Sequence, residues 1–184
     1  ISQLEFFLNL NKKIFLEKPL SLNFNEINRK IKSKVFYVGY VLRHHPIISK
    51  IKKDLENKKY GKVFHIEINC SSNVLNWRKK SSKNFMSINK SLGGGVLREL
   101  SHEIDLLLYL KNDFNKLNAK VIYSKILKNK IDTIANINIF NQSVTATINL
   151  NMISEFEKRD IIIYTDKMNI HANLLNNVFS AYTN

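Results

Sequence analysis

The chain has 184 residues, enough for one ordinary domain or for parts of two. Its 44% hydrophobic and 24% charged residues are globular values that exclude a disordered chain, and two prolines with five glycines exclude collagen-like and linker-like sequences. The net charge of +14 invites a nucleic-acid reading, but only five basic residues are arginine (Arg29, Arg43, Arg78, Arg98 and Arg159) and the lysines are scattered, so no nucleic-acid partner is expected.

Residues 1–10 read as the tail of a helix, with Leu4, Phe7 and Leu8 on one face. Ile14-Phe15-Leu16 is a short apolar run of the kind that forms a buried parallel strand. It stops at Glu17-Lys18-Pro19, because proline cannot donate to a ladder. Asn25 is placed to cap a short helix carrying Ile27 and Ile31. Val35 to Leu42 is β-branched and aromatic and reads as a second buried strand. Pro46 suits the first turn of a helix running to about Asn57, which would bury Ile47, Ile48, Ile51 and Leu55. Helices alternating with strands in this way point to a parallel α/β sheet.

After Gly61 the pattern changes. Residues 62–69, 133–139, 144–151, 159–164 and 168–172 alternate or read as strands, which predicts a sheet buried on one face and wet on the other, as in antiparallel sheets. No uncharged apolar run approaches the roughly 20 residues that a membrane helix needs, so no membrane partner is expected. A single cysteine, Cys70, excludes an internal disulfide and the usual multi-cysteine zinc sites. No metal site is expected, and a reducing, cytoplasmic location is the default; no charged-then-apolar leader opens the sequence.

The chemistry-bearing stretch is Gly93-Gly94-Gly95 and the helix predicted to follow it without interruption. Glycines allow a sharp turn and the close approach of a ligand, and a helix start offers free N–H groups. Leu97, Leu100, Ile104, Leu107 and Leu108 form one apolar face, with Leu106 and Leu110 on the other side, so the helix reads as mostly buried. It nonetheless carries Glu99, His102, Glu103 and Asp105, and Glu99 and His102 are neighbours on one face. Buried ionisable groups are costly unless paired or used. A capped helix with a satisfied core histidine explains the same residues. Glu17-Lys18-Pro19 lies at a strand's carboxyl end, where ligands bind in open α/β sheets. There too a surface lysine is the plainer reading.

Taken in order, "EKPLS", "VGYVLRHHP", "GKVFHIEIN", "NWR" and "GGGVLRELSHEID" resemble the Gfo/Idh/MocA family of NAD(P)-dependent oxidoreductases across roughly residues 1–175. The resemblance implies an α/β fold: the C-terminal remnant of a Rossmann domain (residues 1–43), then an α/β domain with a large, mostly antiparallel open sheet (residues 44–184). It implies NAD or NADP as cofactor, with Glu17, Lys18 and Pro19 at the nicotinamide end. Lys18 and His102 would be catalytic, assisted by Glu99. Arg43, Trp77, Arg78 and Asp105 would line or brace a sugar, nucleotide-sugar or polyol site. A homo-oligomer formed through the open sheet is expected. Family members often carry an aspartate four residues before the histidine, whereas here Glu99 lies three before it. No GxGxxG occurs, and the first residue is Ile1, so the chain reads as a fragment whose cofactor-binding half precedes it, inactive alone. The rival expectation is a non-catalytic binding or oligomerisation module of the same fold.

Overall fold

The alternating stretches after Gly61 do form strands, and they join one sheet. The computed structural model describes residues 13–21, 36–77, 86–127 and 130–183. The chain divides into two compact units between Val41 and Leu42. The helices expected in residues 1–10 and 25–31 lie outside the described residues.

In the first unit, β1 (Ile14–Leu16) and β2 (Phe36–Val38) pair in parallel, with Ile14 opposite Phe36. Two expectations are corrected here. β1 is buried on one side only: Ile14 is 8% exposed but Phe15 is 66% exposed. Burial on both faces needs a covering layer on each side, and only Ile14 has one. The second strand does not reach Leu42. The Gly39 N–H still donates to the Leu16 carbonyl at 2.7 Å, but the Tyr40 N–H turns back to the Val38 carbonyl at 2.8 Å. Val41–His44 then form a 3-10 helix, so turn hydrogen bonding overrides β propensity.

The second unit begins with α1 (Pro46–Glu56), capped by His45, whose Nδ1 accepts from the Ile47 N–H at 3.3 Å. Ile48 and Ile51, three apart on one face, are fully buried, while Ile47 and Leu55 flank them half-buried. Next comes a seven-stranded sheet: β3 (Val63–Asn73), β4 (Lys116–Ile122), β5 (Ile134–Phe140), β6 (Thr145–Asn151), β7 (Ile153–Thr165), β8 (Met168–Asn173) and β9 (Val178–Thr183). The strand order is β4-β5-β6-β3-β7-β8-β9. Five of the six pairs are antiparallel, and β3 with β6 is the parallel one. The fold is α/β with a large, mostly antiparallel sheet.

Pleating sorts the side chains. Ile66, Ile68, Ile148, Leu150, Ile161 and Ile163 point to one face and are buried in a core shared with the helices. The opposite face is polar. Across β5, β6 and β3, the Asn136 Nδ2 donates to the Asn149 Oδ1 at 2.8 Å, and the Asn149 Nδ2 donates to the Asn69 Oδ1 at 2.9 Å. β4 and β9 form the two edges. Most of their residues are exposed, so they carry no clear buried-wet alternation in the sequence.

The glycine run is built differently from its sequence reading. The helix after it is two helices, α2 (Val96–Glu99) and α3 (Ser101–Leu110), broken at Leu100 with φ −98° and ψ 29°. A Cβ on Gly94 would come within 2.5 Å of the Ser87 carbonyl oxygen, and Gly95 has φ +126° with the Asp132 carboxylate filling the space where a Cβ would sit. Asp132 also occupies the helix start. Its carbonyl accepts from the Val96 N–H at 2.8 Å and its Oδ2 from the Leu97 N–H at 2.9 Å. The expected free N–H groups at this turn are therefore used by the chain itself. The buried stripe of α3 is Glu103, Leu106, Leu107 and Leu110, while Leu108, assigned to the apolar face, is 46% exposed. Among the described residues, no helix is long and apolar enough to cross a membrane.

Candidate functional site

The end of β3, the middle of β7 and the α2–α3 break surround a cleft of about 380 Å³. Ser71, Ser72, Trp77, Glu99, His102 and Arg159 line it. Each is held by a local device. β3 runs on to Asn73, whose side chain accepts from the Leu75 N–H at 3.0 Å and starts a 3-10 turn through Val74–Asn76. That turn delivers Trp77, and its indole N–H donates to the Ser72 Oγ at 3.0 Å, which fixes the ring against the strand end. The break at Leu100 leaves Glu99 on one helix and His102 on the next, both half-buried on the same cleft. An imidazole and a carboxylate on one cleft are residue types that serve general acid–base chemistry.

Behind this wall lies a cluster that the sequence reading did not single out. Glu103 is fully buried, and its Oε1 is 2.9 Å from the Arg159 Nε. The Arg159 Nη2 points at the Cys70 Sγ, 3.7 Å away. Burial raises the Glu103 carboxyl above its ordinary range, and the pull of Arg159 does not overcome it. Burial, together with the nearby Glu103, pushes the Cys70 thiol up to about 12, so it stays protonated and unreactive. Burial works against the Arg159 charge, but Glu103 and Cys70 outweigh it and raise its pKa. Parity was the signal available. Cys70 continues the inward series Ile66, Ile68, and Arg159 precedes the inward series Ile161, Ile163, so both occupy core positions.

The other sequence-derived residues fall in three places. Arg43 and Asp105 meet each other: the Arg43 Nε donates to Asp105 Oδ2 at 2.8 Å, its Nη2 contacts Oδ1, and the guanidinium lies 5.3 Å from the Tyr109 ring centre. Glu17, Lys18 and Pro19 follow β1 in the first unit, with the Lys18–Pro19 peptide bond cis. Arg78 lies outside the described residues. A larger cleft of about 590 Å³ opens at the start of β3, far along the strand from His102. It holds Lys58, Lys62, Lys111 and Lys167 but no histidine.

A dinucleotide would meet two different surroundings. The carboxyl ends of the parallel strands β1 and β2, followed by Glu17, Lys18 and Pro19 after β1, are the kind of strand ends at which ligands bind in open α/β sheets. The glycine run does not fit the dinucleotide's pyrophosphate, because Asp132 and the Met86–Ser87 backbone already fill that turn.

No protein-family model matches the sequence. The chain is similar to oxidoreductase P35 of Formosa agariphila, 31% identical over 110 residues, a match covering 55% of this chain and 34% of that protein. Its fold is that of the WlbA dehydrogenase from Bordetella pertussis in complex with NADH and UDP-GlcNAcA (TM-score 0.82, 15% identity), over 99% of this chain and 55% of the other. It is likewise similar to levoglucosan dehydrogenase in complex with NADH (TM-score 0.81, 19% identity, 94% of this chain and 51% of that one). A third neighbour is the inositol dehydrogenase homologue complexed with NAD+ from Azotobacter vinelandii (TM-score 0.76, 13% identity, 92% and 48%). The chain thus spans about a third of the curated relative and about half of these structures.

Proposed function

We propose that the chain is part of an NAD(P)-dependent oxidoreductase of the Gfo/Idh/MocA type. It would move a hydride between nicotinamide and a hydroxyl-bearing carbon of a sugar, nucleotide sugar or polyol. The observation that carries this reading is the shared cleft of His102, Glu99 and Trp77, in a fold whose solved neighbours are NAD-binding sugar and polyol dehydrogenases. NAD(P), when bound, supplies the hydride acceptor or donor.

The protein's own part is to bind, orient and move a proton. His102 takes the proton of the reacting hydroxyl, since imidazole titrates near working pH. Glu99, on the same cleft, assists it. Lys18, in the first unit, takes the role that the family resemblance implies for it, polarising an oxygen as alkoxide charge develops. Trp77 supplies an apolar wall for the sugar ring, and its hydrogen bond to Ser72 keeps that wall in one orientation. Arg43, locked by Asp105, braces the edge of α3, and Arg78 follows Trp77 in the sequence as a further contact. Subunits would associate through the polar sheet face that carries the asparagine ladder.

His102→Asn in the whole gene product tests the reading. With sugar and NAD(P), the pH-dependent limb of kcat/KM should vanish and the rate should fall by about 10²–10⁴-fold, with circular dichroism unchanged. A folded variant with the parental pH profile would assign His102 to the core and remove the acid–base role.

A further inference from the structure

Deepening that reading of the cleft, and resting on it for the sugar part, we propose that Arg159 is the anion-recognising residue of the site and that its substrate carries an oxyanion, a carboxylate or a phosphate, beside the sugar ring. The argument starts from an asymmetry. In the Glu103–Arg159 pair the carboxylate side chain is 1% exposed and the guanidinium side chain 30% exposed. A pair buried on both sides turns its donors inward, whereas a guanidinium left partly open can also reach a ligand. Here Glu103 is sunk beneath the sheet and Arg159 reaches the cleft wall shared with His102 and Trp77.

The orientation of the arginine is set from behind. Its Nε faces Glu103 at 2.9 Å and its Nη2 faces Cys70 at 3.7 Å. One edge of the planar group is thereby engaged, which fixes the plane of a guanidinium that also lines the cleft, and a planar fork of fixed orientation favours two-pronged recognition of carboxylate or phosphate. Cys70 stays a neutral thiol, so it sets no second anion against the ligand. Glu99 and Glu157 also line this cleft, as does Lys158, whose ammonium lies 3.5 Å from the Asp160 carboxylate.

Trp77, the only tryptophan of the chain, lines the same cleft, so its fluorescence reports occupancy. The protein is titrated at constant ionic strength with glucuronate, with inorganic pyrophosphate and with glucose. At least one anion should change the emission saturably at about tenfold lower concentration than glucose. In Arg159→Met/Glu103→Met, which swaps the pair for apolar side chains and so leaves no lone buried charge, that preference should disappear. Arg159→Lys, which keeps the charge and loses the fork, should need several-fold more anion. A response to glucuronate alone makes the group a carboxylate, one to pyrophosphate alone makes it a phosphate, and a response to both supports the shared chemistry. No anion preference in the parent protein, or parental preference in both variants, overturns the proposal. An anion response without any glucose response would keep the anchor and sink the sugar reading, whereas a parental pH profile in His102→Asn would leave the Arg159 result standing.

Discussion

Helix α3 holds two carboxylates, two residues apart, and each is paired to an arginine. The two pairs are chemically alike and physically opposite. Glu103 points into the sheet and meets Arg159 with 1% of its side chain exposed. Asp105 points away from it and meets Arg43, whose side chain is 43% exposed. Residues at i and i+2 of a helix lie on opposite sides, so one short segment addresses two environments. Inside, the dielectric is low and each charge depends on its partner. At the other pair water and salt reach the Arg43 side, though only 10% of the Asp105 side chain is exposed, so the pair is partly screened and adds less. Burial, not the identity of the pair, decides what each is worth.

Breaking the buried pair from one side should show the largest effect. Arg159→Met leaves the Glu103 carboxyl in the core without its cation, a loss of about 3–5 kcal/mol by analogy with other buried pairs. Adding Glu103→Met should recover most of it, since two apolar side chains need no partner. Urea midpoints of the parent, single and double variants check this. Equal midpoints for the single and double variants would mean that the lost packing of the arginine stem, not the orphaned charge, causes the instability.

A pH series sharpens the same contrast with a smaller expected signal. Burial raises the Glu103 carboxyl above the ordinary value of 4.5. The folded chain then holds that proton more tightly than the unfolded chain. The resulting stability is fully present below the ordinary carboxyl pKa. It is lost as pH rises through the raised, folded value. Glu103→Gln removes the titration while keeping the shape, so its stability relative to the parent should improve from pH 4 to pH 8 on a scale of about one proton per chain. The difference between the two proteins isolates Glu103 from the surface acids, including Asp54, which Lys50 and Tyr60 hold below the ordinary carboxyl range. A parent–variant difference independent of pH would mean that Glu103 titrates alike in both states.

These pairs also mark how far the sequence was legible. The core strands were, because Ile66, Ile68, Ile148, Leu150, Ile161 and Ile163 alternate with polar residues on a sheet wet on one side. Edge strands β4 and β9 were not, because exposed strands have little reason to alternate. His102, Glu99 and Trp77 could be gathered from residue types and family resemblance, and they do share a cleft. Glu103 and Arg159 could not be paired, since they sit 56 positions apart in the chain and only the register of β7 against β3 brings Arg159 beside Cys70. Asp132 was equally hidden. The glycine run promised space for a ligand, and a carboxylate from 37 residues beyond Gly95 fills it.

The exposed pair should give the smallest effect, and salt is the means to show why. Asp105→Asn keeps the size of the side chain and its carbonyl acceptor, so it removes charge alone. With the Arg43 side chain 43% exposed and the Asp105 side chain 10% exposed, the loss should be about 1 kcal/mol, well below that of the buried pair. Part of the geometry should persist, because Arg43 also lies over the Tyr109 ring, 5.3 Å from its centre. Raising the salt to about 1 M shortens the screening length to about 3 Å, comparable with the pair's own separation, and should erase most of the parent–variant difference. The same salt should leave the Arg159→Met penalty nearly unchanged, because ions do not enter the space around Glu103. Chemical denaturation in urea, which adds no ions of its own, measures both differences at low and high salt. If the Asp105 effect survived high salt as fully as the Arg159 effect, the Arg43 pair would be acting through a buried contact, and the division between the two sides of α3 would fail.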